Sequence, residues 1–269
     1  MLISSHKNPR IKSLLELGKA RERQGRKQFA LEGAREIERA IACGYKLSEI
    51  FYCTEILSEM ARNIIVSLGG DLPRYEVTTS VYAKIAVRES SDGLVALFQQ
   101  KEHDLVNLPG RQMSLMLAVQ GVEKPGNLGA LLRSADGAGV DCVFLVDQQV
   151  DLYNPLALRA SVGAAFNLPI ISISSVQLKR LAQEKGWQIV AAALSPQATT
   201  YSDVNLSIPS VVLLGSEADG LSENWLTEAD AVVQIPMFGI ADSLNVSVAG
   251  AVLLYEARRQ SRQSITGRQ

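Results

Sequence analysis

A chain of 269 residues, 47% apolar and 20% charged, can bury a substantial core as one large domain or two modest ones, and two are expected. No apolar run reaches the roughly 18 to 20 residues that span a bilayer, and the opening Met-Leu-Ile-Ser-Ser-His-Lys lacks a signal peptide's apolar region, so a soluble, cytoplasmic protein with no membrane partner is expected. Three scattered cysteines and two histidines argue against a disulfide framework, a zinc site or a Ser-His catalytic pair.

Cys43, Cys53 and Cys142 therefore read as small core residues, and chemistry without a metal is favoured. The net charge of −1 hides a gradient: residues 1–46 hold 11 Lys or Arg against 5 Asp or Glu, and the remainder 16 against 23. Such clustering suits either a local phosphate-binding face or an ordinary solvated helix face.

The opening segment sets Lys7, Arg10, Lys12, Lys19, Arg21, Arg23, Arg26 and Lys27 around a short stripe of Ile11, Leu14, Leu15 and Leu17, which predicts a basic helix and a charged connector. Phe29 to Glu32 reads as a strand, and Ala34 to Cys43 as a helix stopped by Gly44. Leu47 to Cys53 is strand-like, Glu55 to Leu68 helical, Arg74 to Val77 a strand after the Gly69-Gly70 break, Ser80 to Ala86 a helix and Leu94 to Phe98 a strand. This α/β alternation predicts a first domain over 1–105, and the polar run with Pro109-Gly110 predicts a linker over 106–112.

Ser114 to Val119 begins the second domain, expected over 113–260, as an apolar strand running into the glycine-rich turn Gln120 to Gly129 and a helix from Ala130 to Ala138. That turn can aim backbone donors at an anion. It matches neither G-x-x-x-x-G-K-[ST] nor G-x-G-x-x-G well, so a nucleotide-dependent α/β enzyme is only a rival reading. Strands over 141–146, 168–173, 187–194, 211–214 and 232–235, with helices over 176–184 and 223–229, predict a mainly parallel sheet covered on both faces.

In the last segment, Pro236 and Gly239 predict a loop, Ser243 offers a helix-capping hydroxyl, and Val248, Ala251, Val252 and Tyr255 recur at helical spacing on a mostly buried helix in which Gly250 permits close approach. A flexible tail is expected over 261–269. Its basic residue Arg268, with Arg258, Arg259 and Arg262, suits either a helix's carbonyl end or RNA.

Ile235 to Glu256 resembles the third motif of the SpoU-type RNA ribose 2′-O-methyltransferases, within the SPOUT class. Asn127 to Arg133 and Leu214 to Ser222 resemble the family's other motifs and occur in the expected order. The first domain is similar, less specifically, to the family's substrate-binding module, an α/β sandwich related to RNA-binding ribosomal proteins, through Phe29 to Ile37 and Ser90 to Leu97.

The resemblance implies S-adenosylmethionine as cofactor, a deep trefoil knot in the C-terminal part of the sheet, and a homodimer acting on RNA. Ribosomal RNA is preferred to transfer RNA as substrate, and a noncatalytic RNA-binding or ribosome-assembly protein of the same fold is the remaining alternative. Carried over residue by residue, it assigns Leu194, Gly215, Ile235, Met237 and Leu244 to the cofactor pocket. Asn127, Asn154 and Arg159, with Lys7, Arg10, Arg26 and Lys27 on the basic head, become candidates for RNA contact.

Arg133 becomes the catalytic residue. A guanidinium has a pKa above roughly 12 and, when protonated, lacks an acceptor, so clamping a phosphate and stabilising alkoxide charge is preferred to general-base action, which stays open. Asn245 and Ser243 are expected to orient that arrangement, and Glu217 to hold Arg133 or the loop.

Overall fold

The computed structural model describes residues 2–87, 92–147 and 151–266. Ser90, Ser91 and Arg268 lie outside them. The described chain forms two units: Met1–Glu102 with Asp151–Asn167, and His103–Val150 with Leu168–Gln269. The segment Asp151–Asn167, expected in the second domain, thus belongs to the first unit.

The first unit contains β1 (Leu2–Ile3), α1 (Pro9–Glu16), α2 (Ala20–Arg26), β2 (Gln28–Glu32), α3 (Ala34–Ala42), β3 (Leu47–Tyr52), α4 (Glu59–Ser67), β4 (Arg74–Val77), α5 (Thr79–Ile85) and β5 (Leu94–Gln99). Its sheet runs β1-β4-β3-β5-β2, with β5 antiparallel to both neighbours and the other pairs parallel. The head is two short helices, not one. Asn8 caps the first with its side chain, and Lys27 ends the second in a left-handed conformation.

Segment 151–167 adds α7 (Pro155–Ser161) and α8 (Ala164–Asn167) to this unit. Apolar burial explains the attachment. Tyr153 stacks on Phe29 at 4.5 Å between ring centres, and Phe166 meets Tyr45 edge-on at 5.0 Å. Arg23, 1% exposed, donates from Nε to Asp151 at 2.6 Å and from Nη1 to the Leu17 carbonyl at 2.6 Å. A buried guanidinium needs such partners; Arg23 is therefore absent from the basic surface on which the sequence put it.

The second unit contains β6 (Leu115–Gln120), α6 (Pro125–Gly137), β7 (Cys142–Val146), β8 (Ile170–Ile173), α9 (Ser175–Lys185), β9 (Gln188–Ala192), β10 (Thr199–Thr200), β11 (Ser210–Leu214), α10 (Glu223–Glu228), β12 (Ala231–Gln234) and α11 (Val246–Thr266). The sheet is parallel at every pairing, in the order β10-β12-β9-β11-β6-β7-β8. Met116, Ala118, Phe144, Val211 and Leu213 pack on one face with Leu178 of α9 and Trp225 of α10. The opposite face carries α6 and α11. A Cβ at Gly250 would lie 2.5 Å from a Leu131 methyl and 2.8 Å from a Leu214 methyl, so a larger residue there would make those side chains move aside where α11 packs on α6 and β11.

Helix α11 departs from its sequence reading in three ways. Its start is capped by Asn245, whose Oδ1 accepts the Ser247 N–H at 2.9 Å, and not by Ser243. Its buried stripe is Val246, Gly250, Leu253, Leu254 and Ala257, whereas Val248 and Tyr255 are about half exposed. It also continues to Thr266, through most of the expected tail. Among the cysteines, Cys53 and Cys142 are buried, but Cys43 is only half-buried. Burial pushes the Cys142 thiol up to about 12, with the Asp141 charge adding to the effect.

Candidate active site at the tips of three parallel strands

Strands β9, β11 and β12 end side by side, with Ala192 in register with Leu214 and Val233. The carboxyl ends of parallel strands are where open α/β sheets accommodate ligands. Here the loops that follow, together with Lys124 before α6 and the first turns of α11, enclose a cavity of about 650 Å³. Among the described residues no group of three or more His, Cys, Asp or Glu is arranged to hold a metal ion.

The loop after β11 closes on itself. Ser216 and Gly220 exchange backbone hydrogen bonds of 3.1 and 3.2 Å, and a Cβ at Gly215 would fall 2.3 Å from the Gly220 carbonyl. Gly215 is thus required by its own loop, although the sequence reading reserved the approach for a ligand. This fold-back turns Glu217 toward α6, where its carboxylate accepts from the Asn127 side-chain amide. The Asn245 amide in turn donates to Asn127 Oδ1 at 3.3 Å, while Asn245 Oδ1 accepts from Ser247 Oγ at 2.6 Å. Three segments distant in sequence meet at Asn127.

Of the residues assigned from sequence, Leu194, Gly215, Ile235, Met237 and Leu244 all line the cavity, as do Glu217, Ser243 and Asn245. Arg133 does not. It stands exposed, roughly 9 Å further along α6 than Asn127, with no hydrogen bond or ion pair among the described residues. Glu217 holds Asn127 and not Arg133, which corrects the Arg133 part of its expected role. Helix α6 begins at Pro125, five residues before the expected start, so Asn127 lies in its first turn and its amide is committed inside the chain instead of being free for RNA.

The remaining assignments belong to the first unit. Asn154 caps α7 through its side chain, and Arg159 is exposed on the same helix. Lys7 and Lys27 are exposed without side-chain partners among the described residues. Arg10 lies 4.5 Å over the Tyr75 ring and 3.6 Å from Glu49, and Arg26 pairs with Glu16 and Glu22. Arg258 bonds the Ala138 and Gly139 carbonyls at the end of α6, and Arg259 pairs with Glu256. Lys124 and Asp219, both cavity residues, were missed; Asp219 lies inside the Leu214–Ser222 motif and Lys124 in the turn that leads into Asn127, and those positions were the available signal.

Comparison with known proteins gives two family matches: the SpoU rRNA methylase family over residues 114–255, and the MRM3-like substrate binding domain over residues 8–96. The chain is 29% identical to a 23S rRNA (guanosine(2553)-2′-O)-methyltransferase of Bacillus subtilis, covering 95% of this chain and 98% of the relative. A solved RNA 2′-O ribose methyltransferase superimposes with a TM-score of 0.86 at 40% identity, over 97% of this chain and 99% of that one. An rRNA methyltransferase from Sinorhizobium meliloti, crystallised with AdoMet bound, gives 0.85 at 30% identity, over 96% and 97%.

Proposed function

This chain belongs to the SpoU rRNA methylase family, and from that premise we propose how its residues carry out the reaction. It is an S-adenosylmethionine-dependent methyltransferase acting on a ribose 2′-hydroxyl of ribosomal RNA. The observation that carries the assignment of roles is the meeting of Glu217, Asn127 and Asn245 on a cavity also lined by all five residues assigned to the cofactor. About 650 Å³ bounded by apolar side chains, two carboxylates and one ammonium fits a ligand of adenosyl size that carries charges of both signs.

When bound, the cofactor supplies an electrophilic methyl group. A neutral ribose hydroxyl attacks it poorly, so the protein's task is in-line placement and relief of the charge developing on oxygen. Arg133, unpaired among the described residues, offers the forked donor set that suits an RNA phosphate and that developing charge. Asn127 fixes the start of α6, which carries Arg133, to the Glu217 and Asn245 loops, and Ser243 lines the same wall. Lys7 and Lys27 are the free cations of the head best suited to backbone phosphates, which set register more than sequence. Asn154 and Arg159 belong to that same RNA-facing role.

The exposed face of α11, with Phe238 and Ile240 fully exposed in the preceding loop, supports a homodimer, and sedimentation is expected to give twice the mass of one chain. The family's trefoil knot belongs to the same reading, since a threaded chain would hold the loops after β9, β11 and β12 in one arrangement. Three cysteines, none in a disulfide, suit a reducing, cytoplasmic compartment. Labelled methyl groups from S-adenosylmethionine are expected to enter ribosomal RNA as ribose methylation, lost in RNA from cells lacking the protein. RNA binding without transfer would instead identify a noncatalytic assembly factor, and labelling confined to transfer RNA would reassign the substrate.

A further inference from the structure

The cofactor cavity has an uneven charge. Its carboxylates are Glu217, already engaged by Asn127, and Asp219; its one basic side chain is Lys124. The Lys124 carbonyl accepts the Asn127 and Leu128 N–H groups at 3.0 and 3.2 Å, which sets the residue at the entry of α6. Its ammonium has no partner among the described residues. The main chain thus fixes the root of this side chain while leaving its charge uncommitted.

S-adenosylmethionine presents two cationic groups, a sulfonium and an ammonium, and one carboxylate. Asp219 and Glu217 suit the first two and repel the third. Arg133 does not line the cavity and is free for a phosphate. We propose that Lys124 is the cavity's anion-binding group and takes the carboxylate of the cofactor's methionine moiety, a role that rests on the functional reading above.

The test compares two ligands that differ only by that group, S-adenosylhomocysteine and its decarboxylated analogue, by calorimetry on the full-length protein. Wild-type protein that binds neither overturns the functional reading itself and is measured before any variant. Lys124→Met is expected to weaken S-adenosylhomocysteine about tenfold while leaving the analogue within about twofold, with Lys124→Arg recovering most of the loss. A matched thermal melt for the variants confirms that α6 still starts normally, because the Lys124 contacts to α6 are main-chain. Equal losses for both ligands, or none for S-adenosylhomocysteine, overturn the proposal. So does unchanged S-adenosylhomocysteine affinity accompanied by a salt slope for ribosomal RNA binding shallower by about one, which would assign the lysine to a phosphate.

Discussion

Arg133 and Glu217 differ in what each does for the folded chain. Because Arg133 is exposed and unpaired among the described residues, Arg133→Ala should leave stability within about 0.5 kcal/mol while lowering kcat at least about 100-fold. Arg133→Lys keeps the charge without the fork, and a rate near wild type would remove the clamp from the mechanism. Glu217→Ala releases the Asn127 amide, with an expected fall in kcat of about tenfold at saturating cofactor, read by single-turnover assay. Gly215, Glu217, Ile235, Met237, Ser243, Leu244 and Asn245 on the cavity wall were legible because two of the motifs spell them. The bridging role of Asn127 was not, because it depends on α6 starting at Pro125 and on the turn of the Gly215–Gly220 loop, neither of which side-chain pattern encodes.

Among the elements, β6 and β7 are tied at their start by Asp141. Burial pushes its carboxyl up, but the Ser114 and Leu115 N–H groups and the Arg111 guanidinium outweigh this and hold it below the usual range. A depressed folded-state value means that the stabilisation is present above the unfolded carboxylate range near pH 4 and is lost as pH falls through the lower folded value. Chemical denaturation from pH 7 to 2 should therefore show an acid limb that Asp141→Asn flattens. Asp151→Ala, which strands the buried Arg23, should cost about 3–5 kcal/mol, and a paired Arg23→Met, Asp151→Leu protein should regain much of it. The buried stripe of α11 was misread because residues 246–255 are apolar or small nearly all round, so 3.6-residue periodicity could not choose between the stripe with Val248 and the one with Leu253.

At the scale of the molecule, the strands and helices of both units were largely legible from alternation and glycine breaks. The partition was not. Segment 151–167 sits between two strands of the second sheet, and the burial of Tyr153 and Phe166 against Phe29 and Tyr45, with the Arg23–Asp151 pair, shows that it belongs with the first. A fragment beginning at His103 would carry those two rings without their partners, and is expected to aggregate on expression where the full chain does not, as light scattering would report. The chain crosses between the units three times, at 102/103, 150/151 and 167/168. Trading the first unit for another by a single splice would therefore leave an orphaned α7 and α8 attached to the second. Any modular exchange, in the laboratory or in descent, must transplant both stretches together.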